Sequence, residues 1–163
     1  MSHLNQKSDF EQLLERNRGR LTAISRSYAK NDADDLLQEI LLQIWRGMRG
    51  FEKRSSVDTW CYRIALNTAI SWQRSAGKRK LRLPPTDADF DQIPGSDDGH
   101  DGTELLRQFL QTLSDTDRAL VLMYLEDMSG TEMSEIVGIS EGALRVRIHR
   151  IKRRLAESEM GDT

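Results

Sequence analysis

The sequence predicts an all-α protein in which two small helical domains are joined by a flexible acidic linker. Apolar residues recur at helical spacing on both sides of residues 84–103, and no segment alternates apolar and polar residues as a half-buried strand does. Residues 84–103 contain all three prolines and six aspartates but no lysine or arginine, a composition typical of a linker. We therefore predict one domain over 1–83 and a second over 104–163.

Three helices are predicted in the first domain. Apolar residues mark one face of a helix within 10–28 and one face of another within 33–48. A third helix is predicted from about 56 to 75, with Ser55 or Ser56 as its N-cap, because a serine hydroxyl there accepts a hydrogen bond from a free backbone N–H. Together they predict a small helical bundle.

Two further helices begin the second domain. Ser114 followed by Asp117 predicts the start of the second of them, since this spacing is typical of a helix N-terminus. The residues expected on the apolar faces are Leu105, Leu106, Phe109, Leu110 and Leu113 in the fourth helix, and Leu120, Val121, Tyr124 and Leu125 in the fifth.

A helix-turn-helix is predicted at the end of the chain. Ser129 and Glu132 form a capping-box pattern before a short helix, and Gly138 suits the left-handed position that ends it. Ser140 then caps a longer helix over about 141–157. A short helix, a turn containing glycine and a longer helix are typical of DNA-binding proteins.

The net charge differs between the segments of the chain. The net charge of −2 alone argues against a nucleic-acid partner, but it is the sum of +7 over 1–83, −6 over 84–103 and −3 over 104–163. Six of the eight basic residues in the second domain lie between Arg145 and Arg154, with no acid among them. Because such a cluster repels itself without an anionic partner, we expect the last helix to contact phosphate.

The predicted contacts on the last helix follow from how a helix enters the major groove. Residues near its start lie nearest the bases, and later residues lie nearer the phosphates. The candidates are Ser140, Glu141, Gly142, Ala143, Arg145, Val146, Arg147, His149, Arg150 and Arg153. The alternative is that the basic residues only solvate an exposed helix face.

Two more candidate surfaces lie in the first domain. One is the polar face of the second helix, which is free for a protein partner unless it is only solvated: Asp35, Gln38, Glu39 and Arg46. The other combines an aromatic, cationic loop with one stripe of the third helix and suits single-stranded nucleic acid: Phe51, Lys53, Arg54, Ser55, Trp60, Arg63, Asn67, Arg74, Lys78 and Arg79. Trp60 alone fits the core equally well.

Three segments in this order resemble the extracytoplasmic-function (ECF) group of bacterial sigma factors, the short members of the sigma-70 family. They are residues 32–46, 55–69 and 128–140. The resemblance implies that the second-helix face binds the clamp of the largest subunit of core RNA polymerase, and that the chain as a whole contacts the beta and beta-prime subunits. It also implies that the loop and third-helix stripe contact and open the minus-ten promoter element, and that the last helix contacts the minus-thirty-five element.

The resemblance implies a non-enzymatic transcription factor without a cofactor. Its expected partners are core polymerase, promoter DNA and an anti-sigma factor, and the acidic linker either occupies the positively charged channel of the polymerase or acts as a tether. From the residues alone, two other functions stay open. One is a stand-alone helix-turn-helix regulator with a sensing or dimerising first domain, and the other is a helical adaptor that binds no nucleic acid.

Several classes of protein are excluded by what the sequence lacks. It has no glycine-rich phosphate loop and no metal-ligand spacing among its three histidines, and the single Cys61 forms neither a disulfide framework nor a multi-cysteine zinc site. Because no run of about 18 apolar residues occurs and the first ten residues contain no apolar signal segment, we expect no membrane insertion and a cytoplasmic location.

Overall fold

The computed structural model describes residues 2–29, 31–82 and 101–160, with side chains for 5–29, 31–75 and 104–160. Within these ranges the protein is helical and contains no strand, which confirms the predicted fold class. A short 3-10 helix, Met48–Gly50, follows the second α-helix. The α-helices are α1 (Ser2–Tyr28), α2 (Ala33–Gly47), α3 (Val57–Arg82), α4 (Asp101–Gln111), α5 (Asp115–Leu125), α6 (Gly130–Val137) and α7 (Glu141–Met160).

Two boundaries differ from the sequence prediction. The third helix does not end near Ser75 but continues to Arg82, and α4 begins at Asp101, inside the segment predicted as a linker. Both extensions are polar, so apolar periodicity could not define them. Most of the predicted linker lies outside the residues that the structure describes.

Helices α1, α2 and α3 pack together as an N-terminal lobe. Its apolar core consists of residues that are at most 2% exposed, namely Leu13, Leu21 and Ile24 of α1, Leu36, Ile40 and Ile44 of α2, and Cys61, Tyr62, Ala65 and Ala69 of α3. At the edge of this core, the buried Asn17 Nδ2 donates to Asp58 Oδ1 at 2.7 Å. This bond fixes the first turn of α3 on α1.

Cys61 is a core residue of this lobe. Burial raises the pKa of its thiol to about 12, and the nearby Asp58 carboxylate acts in the same direction. The thiol is therefore neutral and packed as a small apolar side chain, which agrees with a structural rather than a reactive role.

Helices α4 to α7 form a C-terminal lobe whose turns follow the predicted capping signals. Ser129 and Glu132 make both hydrogen bonds of a capping box at the start of α6, and Gly138 ends that helix with φ of 79°. The Ala143 backbone N–H donates to Ser140 Oγ at 3.1 Å at the start of α7. The predicted helix-turn-helix geometry is confirmed.

The fifth helix departs from its predicted pattern at its end. The Asp117 backbone N–H donates to Ser114 Oγ, as the sequence predicts, but Tyr124 and Leu125 are 47% and 54% exposed rather than buried. Leu122 and Met123 of the same turn are buried, so this turn packs on the core with Tyr124 and Leu125 on its outer side. Lys152 of α7 partly covers the Tyr124 ring, with Nζ 4.5 Å from the ring centroid, a cation–π contact.

The two lobes pack against each other through α1 and α3 on one side and α4, α5 and α6 on the other. The Tyr28 hydroxyl donates to the Asp115 carbonyl oxygen at 2.7 Å. Arg118, only 3% exposed, lies with its guanidinium carbon 5.0 Å from the centroid of the Tyr28 ring. In the described part of the chain, no helix combines the length and the hydropathy that a bilayer crossing requires.

Candidate nucleic-acid interface

The outer face of α2 presents the predicted protein-binding residues in one row. Asp35, Gln38 and Arg46 are exposed there. Leu42, 40% exposed, lies four residues from both Gln38 and Arg46 and therefore on the same side of the helix. Sequence reasoning missed Leu42, although helical spacing places it with Gln38 and Arg46 rather than with the buried residues Leu36, Ile40 and Ile44. An exposed leucine between charged groups gives this face an apolar centre of the kind found in protein interfaces.

Glu39 is less exposed than Asp35, Gln38 and Arg46 of the same helix. It is half-buried, and its Oε1 accepts a hydrogen bond from Gln43 Nε2 at 2.9 Å. Together with Asn67 it lines an open cleft of about 430 Å³ between α2 and α3. The cleft is lined by Glu39, Gln43, Asn67, Thr68, Ser71, Trp72 and Ser75. The structure thus brings a predicted polymerase contact next to a predicted DNA contact.

Trp60 is held between the loop and α2. The rings of Trp60 and Phe51 lie 5.1 Å apart between centroids. A Cβ atom added to Gly47 would lie 3.0 Å from Trp60 Cζ2, so the ring packs closely on the α2 backbone. Trp60 is half-buried as a result. Its ring therefore anchors the loop to the lobe, as the core alternative predicts, while part of it faces solvent.

The loop between α2 and α3 presents two cations to solvent. Lys53 has a positive φ of 57°, and Arg54 pairs with Glu52 at 2.9 Å, with both side chains largely exposed. Ser55 is half-buried, whereas the neighbouring Ser56 caps α3 by accepting from the Thr59 backbone N–H at 3.1 Å. The cap fixes the residue at which α3 begins, and it therefore limits the positions that Lys53 and Arg54 can take in the loop.

The predicted stripe on α3 divides into two environments. Asn67 is exposed at the cleft. Arg63 instead donates from Nη2 to the Glu135 carbonyl oxygen of α6 at 2.8 Å, and Arg74 Nε lies 4.0 Å from the Asp115 carboxylate. Both arginines therefore contact the C-terminal lobe. Lys78 and Arg79 lie on the last turns of α3, where side chains are outside the described set.

Helix α7 presents most of its predicted contacts on one exposed face. Leu144 and Ile151 are buried and attach the helix to its lobe. The exposed residues among the candidates are Ser140, Glu141, Gly142, Ala143, Arg145, Val146, His149, Arg150 and Arg153. Val146 is 52% exposed, although it is apolar. A helix with this face outward meets the geometric requirement for entering a major groove.

Two candidates on α7 are also tied to the lobe. Arg147 Nε donates to Asp117 Oδ1 of α5 at 3.0 Å, and these side chains are 38% and 20% exposed. Glu141 Oε1 accepts from Thr131 Oγ1 of α6 at 2.9 Å. These bonds link α7 to both preceding helices and set the angle at which it projects. Among the described residues, no cluster of histidine, cysteine or acidic side chains is arranged to hold a metal ion.

Comparison with known proteins identifies both lobes. Two family models match the chain, Sigma-70 region 2 over residues 13–79 and Sigma-70 region 4 over residues 103–155. The chain is 31% identical over 128 residues to an RNA polymerase sigma-E factor of Streptomyces avermitilis, covering 77% of this chain and 70% of that protein. It is 27% identical to an ECF RNA polymerase sigma-E factor of Haemophilus influenzae, covering 90% and 85% of the two chains.

A solved structure shares the fold. The sigma factor RpoE of Bartonella quintana, crystallised in complex with the anti-sigma factor NepR, aligns with a TM-score of 0.69. The alignment covers 95% of this chain and 99% of that chain at 23% sequence identity.

Proposed function

This chain belongs to the sigma-70 family, in its extracytoplasmic-function group. We therefore propose which of its surfaces binds each partner in transcription initiation. The exposed row of α2, with Leu42 at its centre, binds the clamp of the largest subunit of core RNA polymerase, and the chain as a whole contacts the beta and beta-prime subunits. The loop after α2 and the exposed part of α3 bind the minus-ten element, and α7 binds the minus-thirty-five element. The protein acts by binding alone, in the cytoplasm, without a catalytic residue or cofactor.

The observation that carries this proposal is the exposed basic face of α7 behind a fully capped helix-turn-helix. Arg145, Arg150 and Arg153 are exposed, so their guanidinium groups are available to guanine edges or phosphates. Leu144 and Ile151 hold the opposite face in the core. A recognition helix requires this division between an anchored and an outward face.

The cleft between α2 and α3 supports a role in opening the promoter. A nucleobase extruded from the duplex loses stacking, which costs a few kcal/mol, and the protein must replace that interaction. Asn67 offers an amide donor and acceptor at the cleft, and Lys53 and Arg54 are exposed on the loop that precedes α3, where they are available to phosphates. We infer that Asn67 contacts the extruded base.

We also propose an anti-sigma factor as a regulatory partner. The Bartonella quintana relative of similar fold was crystallised with such a protein. An anti-sigma factor that covers α2 and α7 would block both polymerase and promoter.

The polymerase surface can be tested by reversing one charge on α2. We expect Asp35→Arg to weaken association with core polymerase by about ten-fold, because it changes an exposed charge within the proposed contact row. Asp9→Arg is the matched control, since Asp9 is exposed on α1 and lies outside the proposed contact row. The measurement is the dissociation constant for labelled full-length protein and purified core enzyme. Equal weakening by both variants would contradict the proposed surface.

A further inference from the structure

The outward face of α7 has an apolar residue at its centre. Val146 follows the buried Leu144 by two residues, and at 3.6 residues per turn this spacing places it on the opposite side of the helix. Val146 is 52% exposed and is not one of the apolar residues that pack on the core. Valine is also a weaker helix former than alanine, because it is β-branched. Neither core packing nor helix propensity therefore accounts for a valine at this position.

Gly142 lies one turn before Val146 on the same face. A Cβ atom built on Gly142 meets no heavy atom within 4 Å, so the fold has room for a side chain there. Gly142 also lacks the positive φ that would favour glycine. Helical side chains lean toward the N-terminus of their helix, so the Val146 side chain leans toward the bare backbone at Gly142. The glycine thus leaves the isopropyl group of Val146 open to a close approach from outside.

Basic residues surround Val146 on this outward face. All of them are exposed, namely Arg145, His149, Arg150 and Arg153. In a recognition helix, basic side chains of this kind contact the phosphates that border the groove, whereas residues at the middle of the inserted face lie nearest the base edges. The major groove presents one apolar group on those edges, the C5-methyl group of thymine. An apolar residue at the middle of a basic face matches this distribution of groups.

We propose that Val146 recognises the C5-methyl group of a thymine in the minus-thirty-five element, and that Gly142 lets the α7 backbone approach the base pair closely enough for this contact. The inference rests on the proposed function, because it requires α7 to enter the major groove of that element. Val146 is thus a specificity-determining residue. It selects thymine by covering one methyl group and makes no hydrogen bond to the base.

The methyl contact has a quantitative signature. Removing one methyl group from a buried apolar contact changes a binding constant by about four-fold. Replacing thymine by uracil removes this methyl group alone and keeps every hydrogen-bonding group of the base pair. If Val146 makes the contact, the effect of uracil depends on the valine side chain, so the two changes are not additive.

The test is a double-substitution cycle with holoenzyme assembled from the full-length protein and core polymerase. The probe is a fluorescein-labelled duplex with the minus-thirty-five element of a promoter that the holoenzyme transcribes, in which each thymine is replaced in turn by uracil. The measurement is the dissociation constant by fluorescence anisotropy, at low temperature so that the duplex stays closed. We expect uracil at one position or more to weaken binding of the wild type by about four-fold. The same uracil should weaken binding of Val146→Ala by less than about 1.5-fold.

Leu105→Ala is the matched control for this cycle. Leu105 is also an exposed apolar residue, at 46%, but it lies on α4. This variant should show the same uracil effect as the wild type. An equal uracil effect in the wild type and in Val146→Ala at every thymine would overturn the inference. A minus-thirty-five element in which uracil replaces every thymine without loss of affinity would overturn it as well.

Gly142→Ala tests the close approach separately. The added methyl group occupies space between the α7 backbone and the base pair, so we expect binding of the thymine duplex to weaken by about four-fold or more. The thermal midpoint should not fall, because alanine is the better helix former. Unchanged affinity in Gly142→Ala would contradict the close approach of the backbone.

Failure of the proposed function gives a different result. If α7 does not bind the element, Arg150→Glu leaves binding of the thymine duplex unchanged. If only the methyl contact is absent, Arg150→Glu still weakens binding, because it places a carboxylate against DNA phosphates, and uracil has the same effect on the wild type and on Val146→Ala.

Discussion

Replacing Asn67 with Ala is expected to slow promoter opening by about ten-fold or more while closed-complex formation changes by less than about two-fold. The Asn67 amide at the cleft meets the base only after the base has left the duplex, so loss of the amide affects the open complex selectively. Hydrogen bonds to a base edge are typically worth about 1–3 kcal/mol, which corresponds to this factor. The measurement is the rate of open-complex formation by stopped-flow fluorescence, beside a mobility-shift assay of the closed complex.

Asn67 is a sharper test than Trp60 for the same role. Trp60 packs on Gly47 and Phe51, so Trp60→Ala removes a structural contact as well as a stacking surface. Asn67 is exposed, and its replacement leaves the core intact. Asn5→Ala, an exposed asparagine on α1, is the control and should change neither rate. An equal loss in closed and open complexes would contradict the base-capture role.

The second large effect is expected at Arg147. Arg147→Glu should abolish promoter binding by the polymerase complex while association with polymerase stays within about two-fold of the wild type. Charge reversal on α7 places a carboxylate against DNA phosphates. It also places one against Asp117, with which Arg147 now forms a hydrogen-bonded ion pair at 3.0 Å, so the thermal midpoint should fall.

The double variant Asp117→Arg/Arg147→Glu separates these two causes. It restores an ion pair between α5 and α7 with reversed direction, and we expect it to recover most of the lost thermal midpoint. Promoter binding should stay lost, because the positive charge on the recognition helix is still missing. Recovery of promoter binding in the double variant would show that Arg147 acts only by positioning α7, which places it outside the DNA contact.

Local signals made the secondary structure and the helix-turn-helix predictable. The capping serines Ser114, Ser129 and Ser140 accept hydrogen bonds from backbone N–H groups three residues away. Gly138 ends its helix because glycine adopts a positive φ without steric cost. Each of these features is encoded within one turn of chain. Apolar periodicity likewise identified the buried faces of α1, α2 and α3, because a face of a helix is defined by neighbours three and four residues away.

The lobe contact and the division of the α3 stripe were not predictable in the same way. Arg63 and Glu135 are 72 residues apart, and Tyr28 and Asp115 are 87 apart. No periodicity relates such pairs, since their contact depends on how whole lobes dock. Helical spacing places Arg63 and Asn67 on one stripe, but it cannot distinguish the side that meets the second lobe from the side that meets α2.

The contact between the two lobes brings opposite charges together. Segment sums already separate a positive first domain from an acidic linker, but they cannot show that Glu126 and Asp115 of the second domain stand against Arg20 and Arg74 of the first. The free protein thus presents less positive surface than its first domain alone.

Run-off transcription shows whether this chain directs core RNA polymerase to promoters. Purified protein and core polymerase are combined with a library of promoter fragments, and the transcripts are sequenced. We expect transcripts from a defined subset of fragments that share minus-ten and minus-thirty-five elements, and only when both proteins are present. A transcript set identical to that of core polymerase alone would contradict this role.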